Sequence, residues 1–287
     1  MISARLQAPV ALAGVLLLLL SHAAWSGAGD TPARRVITLA PHLAELVFAA
    51  GAGETLVGTV EYSDFPEPAR RLPRVGDAFR LDRERITSLQ PDLLLAWAGG
   101  TPVTVIEQLR NDGYTVEVIG GDTLDSVADA LERIGGLTGS EATATPGAEA
   151  FRRELAGLRQ RYAGRPELRA FFQVSERPLY TVTGRQIISQ AMTLCGGHNV
   201  FEDLPGLVAQ VSAERVLAAD PEIMLATADA GEEALARWRE FESIAAVRAG
   251  HLFLVDGDLI SRPGPRMLAG IGQICERMEA SRARQGD

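Results

Sequence analysis

The sequence predicts an α/β fold of two Rossmann-like lobes with parallel sheets, joined by a single long α-helix. Three observations carry that prediction. Residues 82–96, DRERITSLQPDLLLA, recur 130 positions later as residues 212–226, SAERVLAADPEIMLA, so that Glu84 returns as Glu214 and Pro91 as Pro221. Around each copy, short apolar runs of strand length alternate with stretches of helical periodicity, the signature of a parallel sheet covered by helices. Between the copies, Phe151, Leu155, Leu158 and Tyr162 mark one longer helix, and nothing there has the composition of a flexible linker.

Each copy of the repeat reads as a cap residue, a short amphipathic helix, a Pro that ends it, an acidic residue and a buried strand. Two lobes of common ancestry are the simplest explanation. The repeat then puts Glu84 and Glu214 in equivalent places on the two lobes.

A chain of 287 residues that is 46% hydrophobic can bury a core in each of two such lobes. Its net charge of -9, with no cluster of basic residues, argues against a nucleic-acid or anionic-lipid partner. Residues 1–28 read as a signal peptide: Arg5 supplies the positive end, residues 10–20 the apolar centre, and residues 21–28 small side chains suited to cleavage. An exported protein is expected. No later stretch approaches ~18 uninterrupted apolar residues, and no Cys near the cleavage region offers a lipid site, so the expectation is a soluble, non-lipidated protein exported to an oxidising compartment. In that oxidising compartment the two cysteines, Cys195 and Cys275, read first as a disulfide, with free buried thiols as the alternative. A closed loop of this length contributes roughly 4 kcal/mol by the chain-entropy model.

In chain order, the first lobe is predicted over residues 33–140, the linking helix over 141–164 and the second lobe over 167–287. The first lobe opens with a strand at 35–39 and a helix begun by Pro41, with Leu43, Leu46, Val47 and Ala50 on one face and Gly51 ending it. The run GAGETL that follows resembles a dinucleotide-binding loop only superficially, because it follows a helix where that motif must follow a strand. A strand at 57–60 leads to a loop over 62–73 and the first repeat copy. Gly99 and Gly100, a helix at 102–111, a strand at 115–119 and a helix opened by Thr123 complete the lobe. Ligand crevices in such folds lie outside the carboxyl ends of the strands. His42, Tyr62 and Trp97 follow such ends. The linking helix is closed by Gly164 and Pro166. The second lobe has a strand at 169–174, a β excursion at 179–182, a helix from Gln186 that stops at Gly196 and Gly197, and then the second copy. A helix at 232–241, a strand at 252–255 and the loop DGDLISRPGPR over 256–266 precede a final helix bearing Cys275.

Absences narrow the chemistry. The sequence holds no G-x-S-x-G elbow, no H-E-x-x-H, no P-loop and no closely spaced Cys and His ligands, and past residue 28 only His42, His198 and His251 remain. No enzymatic activity and no cofactor are expected.

The segments RVITLAPHLAEL, VEYSDFPEPA, LDRERI, PDLLLAWAGG, LCGGHNVF, VSAERVL and DGDLISRPGPR, taken together and in this order, resemble the periplasmic cobalamin-binding proteins of ATP-driven vitamin importers, within the helical-backbone (class III) periplasmic binding proteins. The resemblance spans most of the chain after residue 28. It implies a periplasmic monomer, a ligand cleft between the lobes and delivery of a corrinoid to the permease subunits of an ABC importer. Glu84 and Glu214 match the two glutamates that dock against permease arginines. The repeat supports that role independently, since a receptor across a two-fold permease needs equivalent anchors. The alternative for each is a first-turn Glu that favours the helix dipole.

For the ligand, the resemblance implies Tyr62 and Trp97 as aromatic faces and Asp258 and Arg262 as a polar pair. A corrin is a wide apolar disc edged with amides, which suits that mixture. His42 stands where the family has a smaller residue. Its imidazole is a candidate ligand for the cobalt of a bound corrinoid, against the alternative of a helix-start His bonded to solvent. Elsewhere the chain departs from the family's aromatics, with Ala78, Val174 and Leu207 at those positions and Phe79 as a stand-in. The expected function is capture of cobalamin or a related corrinoid. The alternatives are a ferric siderophore or haem receptor of the same fold, or an exported hydrolase using His42.

Overall fold

The computed structural model describes residues 31–77, 80–121, 123–231 and 233–285. The leader expected at residues 1–28 and the stand-in Phe79 lie outside the described residues. The first lobe runs β1 (Val36–Thr38), α1 (Pro41–Ala49), β2 (Leu56–Gly58), α2 (Arg83–Leu89), β3 (Leu93–Trp97), α3 (Val103–Asn111), β4 (Val116–Ile119) and α4 (Ser126–Thr138). Its four strands pair in the order β2-β1-β3-β4, every neighbour parallel. Strands covered on both faces read as unbroken apolar runs, and Leu93 to Ala96 are accordingly all buried.

A 22-residue helix, α5 (Glu141–Tyr162), leads to the second lobe. There follow β5 (Leu168–Glu176), β6 (Leu179–Val182), α6 (Ile187–Leu194), β7 (Gly197–Asn199), β8 (Val208–Gln210), α7 (Ala213–Ala219), β9 (Ile223–Thr227), α8 (Ala245–Arg248), β10 (Leu252–Val255), α9 (Gly257–Ile260) and α10 (Met267–Gln285). The strand order is β10-β9-β5-β6-β8, with β7 also on β5. β10, β9, β5 and β7 are parallel, while β6 and β8 pair antiparallel, so the second sheet is mixed where a parallel one is expected from the sequence.

The repeat is a structural repeat. Asp82 accepts a hydrogen bond from the Arg85 amide and Ser212 one from the Arg215 amide, each capping its helix N-terminus. Each helix ends on a left-handed residue, Gln90 at φ 47° and Asp220 at φ 41°, so the turn is made one position before the Pro that the sequence suggests. An arginine closes each turn from the neighbouring strand. Arg35 donates to the carbonyls of Leu89 and Gln90, and Arg169 to that of Asp220. The acidic residue after the Pro accepts from backbone amides at the start of the neighbouring strand: Asp92 from Arg34 and Arg35, just ahead of β1, and Glu222 from Arg169 in β5. The parallel strand that opens each lobe and pairs beside the repeated strand, β1 on β3 and β5 on β9, therefore belongs to the repeated unit.

Two expected elements change, whereas α5 runs from Glu141 to Tyr162 with Pro146 inside it. Of the helix expected over 232–241, Glu232 lies outside the described residues and Ala236–Glu240 form a 3₁₀ turn that buries Trp238. The loop after β10 contains the single turn α9, capped by the Asp256 carboxylate.

The core explains how the lobes are held. One cluster runs from Val36 and Leu43 beside the first sheet, through Leu131, Phe151 and Leu155 of α4 and α5, to Phe172, Ile188, Ile271 and Cys275 of the second lobe. Two smaller clusters lie in one lobe each, around Phe171 and Trp238 in the second and around Ile37 and Leu94 in the first. Gly135 lets α4 approach α5 closely, since a Cβ there would stand 2.4 Å from that of Ala144. In the second lobe the expected bridge is formed, with Cys195 at the end of α6 joined to Cys275 on α10, both fully buried. Among the described residues no helix is long and apolar enough to cross a membrane.

Candidate functional site

The loops after β1, β3 and β10 bring His42, Trp97, Asp258 and Arg262 into one region, and the loop after β2 adds Asp64 beside Tyr62, with carboxylates of the first lobe facing guanidinium groups of the second. His42 is the second residue of α1. It is buried, 4% exposed, with its ring edge-on to Trp97 at 4.8 Å between centroids. That overturns the reading of a helix-start His open to solvent. Burial, with the charge of Arg262 adding to it, pushes the imidazole down from 6.5 to about 3, so the ring is neutral at pH 7.

Trp97 ends β3, and its indole lies across the turn that follows. A Cβ on Gly99 would come within 2.8 Å of that ring, and one on Gly100 within 2.3 Å, so the paired glycines make room for it. The backbone N–H of Trp97 donates to Thr101 Oγ1. Its indole Nε1 is buried without an acceptor, a group that ordinarily finds a partner. Trp97 and Gly99 border a crevice whose opposite wall comes from the second lobe, including Arg185, Leu207, Ser261 and Pro263.

Tyr62 is 78% exposed and holds φ 64°, a backbone region costly for a bulky residue. Its neighbours fix it there. The Glu61 amide bonds the Gly76 carbonyl, the Ser63 hydroxyl accepts from Thr59, and Arg74 donates to the Ser63 carbonyl. Strain of this kind marks a loop whose shape is set by something other than its own stability.

Arg262 and Asp258 pair as expected, at 2.9 Å. The sequence reading missed their other partners. Arg262 also reaches Asp64 at 2.6 Å and Glu45 at 3.3 Å, both on the first lobe. Arg266 holds Glu45 through both carboxylate oxygens, at 2.8 and 2.7 Å, and its guanidinium lies 3.9 Å from the centre of the Phe65 ring. Partial desolvation pushes the Asp64 carboxyl up, but the Arg262 hydrogen bond and charge outweigh it and hold the group below the usual carboxylate range. The Arg266 guanidinium is raised chiefly by its hydrogen bond to Glu45. A signal for Glu45 exists in the sequence: it is a carboxylate embedded in the apolar run LAELVFAAG, where burial demands a cationic partner.

Glu84 and Glu214 lie apart from this region, exposed in the first turns of α2 and α7. Beside Glu84, Arg83 pairs with Asp112; beside Glu214, Arg215 lies over the Phe201 ring. The Glu214 carboxyl is held low by its bond to the Ser212 hydroxyl. His198 pairs with Glu202, and His251 is buried against Phe253 in the second lobe, so the three histidines are not gathered. Among the described residues no group of His, Cys, Asp and Glu is arranged to hold a metal ion.

Residues 36–259 match the periplasmic binding protein family. A vitamin B12-binding protein of Vibrio parahaemolyticus is 34% identical over 88% of this chain and 91% of its own length. The crystal structure of the periplasmic vitamin B12 binding protein of Vibrio cholerae superposes with a TM-score of 0.82 at 35% identity, covering 88% of this chain and 98% of that one. A possible iron-binding, periplasmic solute-binding protein of Staphylococcus epidermidis gives a TM-score of 0.75 at 25% identity, over 86% and 99% of the two chains.

Proposed function

The chain belongs to the periplasmic binding protein family, and we propose that within it this protein is an exported receptor that captures cobalamin or a closely related corrinoid and delivers it to an ATP-driven importer. The observation that carries the proposal is the make-up of the region between the lobes. An exposed aromatic ring on strained backbone, a buried indole donor without an acceptor and a guanidinium suit a wide apolar disc edged with amides, in a chain similar at 34% and 35% identity to two proteins named for binding vitamin B12.

In this reading Tyr62 and Trp97 cover the corrin face, Trp97 Nε1 donates to a side-chain amide, and Arg262 with Asp258 fixes the amide edge from the second lobe. His42 supports Trp97 as a neutral packing partner; ligation of cobalt would require its ring to leave that contact. Glu84 and Glu214 meet the permease, one on each lobe. Residues 33–140 and 167–287 act as the two lobes about the helix at 141–164.

Titration with cyanocobalamin, followed by visible absorption, tests the proposal. A red one-to-one complex is expected, with Trp97→Phe, which keeps an aromatic face and loses the donor, weakening it about five- to tenfold. No binding at micromolar concentration sinks the corrinoid reading. A parallel titration with haemin or a ferric siderophore then identifies the other ligand classes of this fold.

A further inference from the structure

The pairs that cross between the lobes fall into two tiers. Glu45 and Arg266 form the inner one: the carboxylate side chain is 2% exposed, bound bidentately, with Phe65 over the guanidinium. Arg262 and Asp64 form the outer one. Here the arginine is 15% exposed and the carboxylate 44%, on the loop that also carries the strained Tyr62. The Arg262 guanidinium is already divided, one terminal nitrogen on Asp258 and the other on Asp64 and Glu45. Glu45 is held by Arg266 at 2.7 and 2.8 Å as well as by Arg262 at 3.3 Å, whereas Asp64 pairs with Arg262 at 2.6 Å.

We propose that Asp64 is an internal competitor for the ligand: it occupies the Arg262 guanidinium while the cleft is empty and must be displaced before a ligand amide can take its place. The inference rests on the corrinoid reading above. A half-exposed carboxylate is a suitable competitor, because water takes over its solvation on release, whereas release of Glu45 would leave a charge buried. The contact lowers affinity and sets a threshold that a ligand without a well-placed acceptor does not cross, which makes Asp64 a determinant of specificity as well as of affinity.

The test compares wild type with Asp64→Ala, and with Asp64→Asn in case the smaller side chain perturbs the loop. Cyanocobalamin affinity is expected to tighten about two- to fivefold, the range of a partly exposed ion pair. Hydrogen exchange of ligand-free protein is expected to quicken at amides 61–65 and 258–266. Unchanged or weaker cyanocobalamin binding in both variants, beside a wild type that binds, overturns the proposal and makes Asp64 a direct ligand contact or a bystander. Should wild type fail to bind cyanocobalamin, the corrinoid reading falls and hydrogen exchange alone decides: faster exchange supports the Asp64–Arg262 restraint, unchanged exchange removes it.

Discussion

In the first lobe the repeated helix is capped by Asp82, 2.8 Å from the Arg85 amide; in the second Ser212 caps it at 3.4 Å from that of Arg215. The chemistry of the cap differs, yet the left-handed terminator, the arginine behind it and the acidic residue on the strand amides all return. The strand-end loops do not return. The first lobe sends carboxylates and aromatic rings toward the space between the lobes, and the second sends two arginines. What is repeated presents the same exposed Glu twice, as the proposed docking on a two-fold partner would require, and what has diverged is the region proposed to hold a ligand with no such symmetry.

Breaking the shared part should have the largest effect. Glu84→Lys with Glu214→Lys is expected to abolish uptake by a reconstituted transporter while leaving ligand affinity intact, each single change being partial. Loss of binding instead would move these residues into the cleft. Next comes the cross-link, which is found only in the second lobe. Replacing both Cys195 and Cys275 by Ser should lower stability by roughly 4 kcal/mol in chemical denaturation, and no loss would show that the lobe does not depend on its tie.

The first lobe has its own sensitivity, to acid. His42 is held neutral, its proton affinity depressed from 6.5 to about 3. The unfolded chain therefore binds the extra proton first as pH falls, so His42 makes stability rise with pH across that window and contributes no slope above it. Asp64, whose carboxyl is lowered, adds a loss at the acidic end. Denaturation midpoints measured from pH 4 to 7 should be flatter for His42→Gln than for wild type. An identical slope would assign the acid sensitivity elsewhere. The smallest effects test the caps: Asp82→Ala and Ser212→Ala should each cost about 1 kcal/mol, with the shorter Asp82 bond giving the greater loss. A reversed order would mean that the caps do not follow their geometry.

Local features were legible in the sequence. The repeat, the Pro41 helix start, the paired glycines after Trp97 and the cysteine pair each rest on a few neighbouring residues or on an even thiol count. Misreadings arose where tertiary context overrides local pattern. Trp238 and its neighbours have helical spacing, yet they form a 3₁₀ turn around a side chain that the core of the second lobe claims. β8 is short and largely exposed, and it gains strand geometry only by pairing with β6. The pairs between the lobes were least accessible. Glu45 and Arg266, and Asp64 and Arg262, stand about two hundred positions apart, and nothing local in either loop names its partner.

The apolar cluster that passes without a break from the first sheet, through α4 and α5, to α10 has a mechanical meaning. Bodies that share a core cannot swing freely, because separating them would expose close-packed side chains to water. If Glu84 and Glu214 are anchors, they form a caliper of nearly constant span. A permease gripping both could not gauge occupancy from the gap between them; it would have to read the cargo, or the side chains that the cargo uncovers, at the rim.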